Sequence, residues 1–113
     1  LHEYALVSSI FGILNEKIKE YNVNKVKQVK LMVGDMTGVE DMTMKSCFEI
    51  VAKDTPVEGA DLIIQRIPVK AQCTNCNHEF IVHGWDYKCP QCNKTGVRII
   101  AGKELYIESI EAE

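Results

Sequence analysis

Between Val7 and Tyr21 the apolar residues recur at three- and four-residue steps: Val7, Ile10, Phe11, Leu14, Ile18 and Tyr21. That period lays one apolar stripe along a helix, with Glu16, Lys17, Lys19 and Glu20 on the far side. The spacing predicts a helix from residue 2 to about residue 21, stopped by Asn22 and Asn24. Over residues 25–34 the period drops to two. Val29, Leu31 and Val33 alternate with Lys30 and Met32, the mark of a strand with one buried face. A turn is expected over residues 34–38. Thr37, Gly38, Val39 and Glu40 have the spacing of a capping box, so a second helix should open there and run to about Lys53. Its buried face would hold Met44, Cys47, Phe48 and Val51. Pro56 and Gly59 end that element, and the isoleucine-rich residues 60–69 read as a second strand. Residues 104–111, with Leu105, Ile107 and Ile110, read as a strand that rejoins the sheet begun by residues 25–34.

The stretch between these last two strands differs in character. Residues 70–102 hold four of the five cysteines, two of the three histidines and the single tryptophan. The cysteines form two pairs, Cys73 with Cys76 and Cys89 with Cys92, separated by twelve residues. A Cys-x-x-Cys turn aims two sulfurs at one centre, and two such turns complete a tetrahedral thiolate cage for zinc. Each pair is followed by asparagine, Asn77 and Asn93. That position in a metal knuckle favours positive φ, which Asn tolerates better than most residues with a Cβ. Two disulfides and a rubredoxin-like iron centre are the competing readings. Zinc suits the spacing best, and four protein ligands leave no open position for catalysis. Some thirty residues bury too little apolar area to fold unaided, so the metal must supply the stability. The expected architecture is α+β, two helices packed on a small mixed sheet, with a four-cysteine zinc-ribbon-like domain inserted at residues 70–102. Residues 1–69 and 103–113 form the other domain.

Composition narrows the class. The chain has 113 residues, 46% of them hydrophobic, enough for one domain or one domain with a small insert. A net charge of −3 argues against general affinity for nucleic-acid backbones. No apolar run approaches the roughly 18 residues of a membrane span. His2 and Glu3 stand where a secretory signal would carry Lys or Arg, so reduced thiols in the cytoplasm are expected.

The N-terminus carries a second candidate for metal chemistry. The amine of Leu1 and the amide nitrogen of His2 close a five-membered chelate. The same amide and the His2 imidazole Nδ1 close a six-membered one, and the Glu3 amide nitrogen closes another five-membered ring. Four nitrogens in one plane suit Ni(II) or Cu(II). Binding releases protons, so affinity should rise with pH. The competing reading is a solvated terminal histidine. The Glu3 carboxylate has three candidate roles: a fifth ligand, a partner for the amine, or a favourable charge at a helix N-terminus.

The opening Leu1-His2-Glu3-Tyr4-Ala5-Leu6-Val7, the strand ending Leu31-Met32-Val33-Gly34-Asp35 and the two Cys-x-x-Cys turns resemble the HypA family of nickel metallochaperones. The order of elements, helix, strand, helix, strand, zinc insert and strand, is similar too. The resemblance implies nickel bound as cargo by the terminal amine of Leu1, by His2 and by Glu3, and structural zinc on Cys73, Cys76, Cys89 and Cys92. It implies delivery of nickel to the precursor of the hydrogenase large subunit together with a HypB-type GTPase, or service to urease and its accessory proteins. The family begins Met-His-Glu, whereas this chain begins with Leu1. Chelation uses the amine rather than the first side chain, so Leu1 serves equally wherever it is first.

Other residues are expected to play structural parts. His78 reads as a neighbour that tunes a thiolate, and His83 as a surface residue. Cys47 reads as a small core residue, Trp85 and Tyr87 as packing over the metal knuckles, and Glu40 and Asp41 as caps for the second helix. Two other functions fit the same residues: a zinc-stabilised adaptor with a silent terminus, or a nucleic-acid-binding zinc ribbon using Lys70, Lys88, Lys94, Arg98 and Trp85. The chain shows no catalytic triad or phosphate-binding loop and is not expected to be an enzyme. A monomer or weak homodimer, without nucleic acid or membrane, is the expected state.

Overall fold

The computed structural model describes residues 3–113. In chain order the elements are α1 (Glu3–Glu20), β1 (Val26–Gly34), a 3₁₀ turn (Asp35–Thr37), α2 (Asp41–Ala52), β2 (Asp61–Ile67), β3 (Lys70–Cys73), β4 (Glu79–Ile81), β5 (Val97–Ala101) and β6 (Leu105–Ala112). The strands form two three-stranded sheets, ordered β2-β1-β6 and β4-β3-β5. At one end of β1 the Lys25 and Glu113 backbones exchange hydrogen bonds of 3.1 and 2.9 Å, and at the other the Gly34 N–H donates to the Glu104 carbonyl at 2.7 Å. β6 therefore runs antiparallel to β1, and a Lys30–Glu108 ion pair of 3.7 Å bridges the two strands between those ends. On the other side of β1, Asp35 and Arg66 meet at 3.9 Å, which brings the C-terminal ends of β1 and β2 together. That is the parallel arrangement of a strand–helix–strand crossover. The architecture is α+β with small mixed sheets, as the hydrophobic pattern predicts.

The chain divides into two compact units, one of residues 1–32, 38–65 and 106–113, the other of residues 33–37 and 66–105. In the first unit α1 and α2 meet through the Phe11 and Phe48 rings, whose centroids lie 5.2 Å apart at a tilt of 53°. Val7, Ile10, Leu14, Val29, Leu31 and Met44 complete a buried core around them. Ile18 is only half-buried and Tyr21 is 67% exposed, because α1 ends at Glu20 and the stripe runs on past the helix. Cys47 and Val51 are likewise half-buried, while Ala52 takes the deeper position on α2.

The capping box does not form. Gly38 has φ of +74°, a left-handed backbone that cannot continue a right-handed helix, so α2 begins only at Asp41. Glu40 sits at the N-cap position without a side-chain capping bond, and its Oε1 accepts the Thr43 hydroxyl at 2.6 Å. The Thr37 hydroxyl instead donates to the Gly34 carbonyl at 2.8 Å, closing the 3₁₀ turn.

In the second unit β3 pairs antiparallel with β4, Ala71 opposite Phe80, and with β5, Gln72 opposite Arg98. The periodicity of residues 70–102 does not announce these strands. They are three to five residues long and broken by cysteine turns, too short for a period of two to stand out.

Candidate metal centre

The two Cys-x-x-Cys segments fold into matching turns. In the first, the Cys73 N–H donates to the His78 carbonyl and the Asn77 N–H returns to the Cys73 carbonyl, both at 2.9 Å. In the second, the Cys89 N–H donates to the Lys94 carbonyl and the Asn93 N–H to the Cys89 carbonyl, again at 2.9 Å. Each turn closes through its asparagine, with φ of +64° at Asn77 and +63° at Asn93, the left-handed geometry expected there. Alanine at either position should cost about 1 kcal/mol, because a Cβ without a side-chain amide disfavours this φ, while glycine should cost nothing. The measurement is the chelator concentration that strips metal from each variant, lower for Asn77→Ala and Asn93→Ala than for the glycine counterparts.

These turns bring all four sulfurs within 4.8 Å of one another, and they are the only such cluster among the described residues. The closest approaches link one knuckle to the other: Cys73 to Cys92 at 3.5 Å and Cys76 to Cys89 at 3.7 Å. The first cysteine of each pair is buried and the second half-buried. The environment splits their acidities. The His78 amide pulls the Cys76 thiol down, but burial and the thiols of Cys89, Cys73 and Cys92 outweigh it and push the group up to about 12. Cys92 moves the other way. The Lys94 amide draws it below its ordinary value against the effect of burial, and contacts from Cys73, Asn75 and Cys76 add to that. Four sulfurs this close cannot all ionise without a cation between them, so the donor set fits a soft, tetrahedral metal ion.

The other sequence candidates fall outside this cluster. His78 is half-buried with its ring stacked on Phe80, centroids 6.2 Å apart, and its amide rather than its imidazole serves Cys76. His83 is exposed on a tight turn with Asp86. Trp85, at the apex of that turn, is 91% exposed and does not pack over the knuckles as expected. Gly84 has φ of +61°, and the turn it opens carries Trp85 outward. Tyr87 is half-buried.

Leu1 and His2, the first two nickel candidates, lie outside the described residues. The third, Glu3, opens α1 and is only 8% exposed. Its Oε2 accepts the Glu40 N–H at 3.1 Å. A buried carboxylate is tolerable only with such partners. This contact ties the start of α1 to the N-cap residue of α2 across 37 positions of sequence, and no local pattern announces it.

Two helices, small mixed sheets and a four-thiol cluster placed to hold a metal ion define an α+β protein with a candidate metal centre. The chain belongs to the HypA family, described as hydrogenase/urease nickel incorporation metallochaperones, which it matches over residues 1–112. It is 37% identical over 113 residues to the hydrogenase maturation factor HypA of Desulfitobacterium hafniense (strain DSM 10664 / DCB-2), covering all of this chain and 99% of that one. The corresponding factor of Geobacter metallireducens is 36% identical with complete coverage of both. Among solved structures, the nickel metallochaperone HypA of Helicobacter pylori superposes with a TM-score of 0.67 at 28% identity, covering 99% of this chain and 97% of that one. A second HypA solution structure gives 0.73 at 29% identity, covering 99% and 96%. This is a metallochaperone family rather than an enzyme family, and no helix among the described residues is long and apolar enough to cross a membrane.

Proposed function

We propose that this protein captures Ni(II) at its N-terminus and passes it to the hydrogenase large-subunit precursor in the cytoplasm. A HypB-type GTPase takes part, and urease is the second possible client. The nickel ligands are the amine of Leu1, the adjacent backbone nitrogens and the His2 imidazole, in a planar set that selects nickel over zinc by geometry. Residues 1–69 and 103–113 form the nickel-binding domain. The observation that carries this reading is the anchoring of Glu3: its buried carboxylate is held by the Glu40 amide. The residue next to His2 is thereby fixed to the folded scaffold. Glu3 then serves as positioning residue and as a nickel ligand.

Cys73, Cys76, Cys89 and Cys92 hold zinc, which when bound supplies the cross-link that stabilises the domain of residues 70–102. The thiolates orient the two knuckles, and the Lys94 amide favours negative charge on Cys92.

Calorimetric titration with Ni(II) tests the nickel site, using zinc-loaded protein whose first residue has been verified. One nickel per chain is expected. Both His2→Ala and a single glycine added before Leu1 should weaken binding by more than about 100-fold, beyond the loss typical when a hydrogen-bond partner of a ligand is removed. Equal nickel affinity in all three proteins would move the cargo site elsewhere and end this reading.

A further inference from the structure

β6 lies at the edge of its sheet, with β1 on one side and no strand on the other among the described residues. It is eight residues long, which leaves a substantial row of backbone N–H and C=O groups open to pairing. Beside it, within the same unit, a groove of about 640 Å³ runs between β6 and the second half of α1. Ile13, Leu14, Ile18 and Tyr21 line one wall and Ile107 and Ile110 the other. Ile13 and Tyr21 are 48% and 67% exposed, so apolar surface stands open at the lip of the groove.

We infer that this edge receives an extended segment of another protein, which adds a strand to β6 and drops alternate apolar side chains into the α1–β6 groove. Main-chain pairing of this kind supplies affinity, and side-chain pockets at every second residue supply selection.

The charges choose the occupant. From Leu105 to Glu113 the chain carries Glu108, Glu111 and Glu113 and no basic residue. Lys30 and Lys27 on β1 answer Glu108 at 3.7 Å and Glu113 at 3.2 Å, while Glu111 is exposed and left in excess. Two copies of β6 placed edge to edge would bring these carboxylates together, and like charges across a strand pair are destabilising. A second copy is therefore disfavoured. Glu108 and Glu113 line the groove beside Ile107 and Ile110, so the complementary strand combines apolar residues with Lys or Arg that answer these carboxylates and Glu111. The site is independent of the proposed nickel ligands.

The test uses zinc-loaded full-length protein and two capped peptides as long as β6, one alternating valine with lysine and one alternating valine with glutamate. The valine–lysine peptide should bind and protect the outward-facing amides of β6 from hydrogen exchange, and the valine–glutamate peptide should not. Methylating the valine–lysine peptide's pairing amides should abolish binding without any change to the protein. Ile13→Lys at the groove lip and Glu111→Lys on the strand should each weaken binding about tenfold, the scale of losing one anchor or one charge contact. Absence of β6 protection, equal binding of both peptides, or concentration-dependent self-association through β6 would overturn the proposal.

Discussion

Stripping the metal from the four-cysteine centre should unfold residues 66–105 while α1 and α2 keep their helical signal. The buried apolar residues are distributed very unequally. The first unit buries Val7, Ile10, Phe11, Leu14, Val26, Val29, Leu31, Val39, Met44, Phe48, Ala52, Val57 and Leu62. The second buries Val33, Ala71 and Val82, together with Cys73 and Cys89 themselves. Two of its five core positions are thus members of the four-cysteine cluster. Three aliphatic side chains contribute only on the order of 5 kcal/mol. Structural zinc contributes about 10–16 kcal/mol in apparent terms, well above that burial, so removing it takes away the larger of the two contributions. Without the metal the four sulfurs lose the cation that lets them ionise together. Cys89→Ser should act as the chelator does, with loss of one zinc per chain. Collapse of amide dispersion for residues 66–105 in a ¹⁵N–¹H spectrum, with the dispersion of α1 and α2 retained, is the expected result. A metal-free protein that keeps native shifts throughout would mean that the cysteines do not hold this unit. Acid should mimic the chelator, because each ligand must be deprotonated to bind.

Gly34→Ala is the second change with a large effect, and its sign is opposite to that of a neighbouring control. Gly34 ends β1, where its backbone lies against Gly102. A Cβ there would stand 2.1 Å from the Gly102 oxygen and 2.2 Å from its carbonyl carbon. Those are backbone atoms, and no rotamer change relieves the clash. Gly102 is hemmed in turn: its φ is +114°, and a Cβ on it would meet the Val69 Cα at 2.8 Å. The crossing is sealed by hydrogen bonds. The Gly34 N–H donates to the Glu104 carbonyl at 2.7 Å, the Met36 N–H to the Gly102 carbonyl at 2.8 Å, and the Gly102 N–H to Glu104 Oε1 at 2.7 Å. An added methyl must part these strands, at about 3 kcal/mol, the upper end of overpacking costs. In a chain of this size that lowers the melting temperature by about 10 °C or more. Gly12→Ala, in the middle of α1 with nothing within 4 Å of its Cβ, should instead gain about 0.5–1 kcal/mol from helix propensity. Thermal unfolding of the two zinc-loaded variants, read against the parent, checks both. Equal stability of the two would show that Gly34 and Gly102 do not pass this closely.

The elements were legible where a period ran long enough. In α1 the apolar repeat runs about three turns from Val7 to Ile18, and in β1 residues 29–33 carry a clean alternation. The strands β3, β4 and β5 span five residues at most, and β3 ends on Cys73, so no period of two stands out in them. Thr37 and Glu40 have the right spacing for a capping box, yet Thr37 closes a 3₁₀ turn and the left-handed Gly38 after it keeps α2 from starting before Asp41. Packing over the knuckles is the expectation for Trp85, and the structure exposes it instead. Its exposure follows from a turn geometry that composition does not encode.

The sequence by itself determined the two helices, the outer strands, the four-cysteine set and the asparagine conformations beside it, because each rests on spacing within a few residues and on the intrinsic preferences of the chain. Only the tertiary structure decided the rest. It joined Glu3 to Glu40, brought Gly34 against Gly102, and left β6 as an open edge beside an apolar groove. Each of these depends on segments far apart along the chain meeting at van der Waals or hydrogen-bond distance. Such meetings follow from how the whole chain buries its apolar faces, which no local window of residues contains.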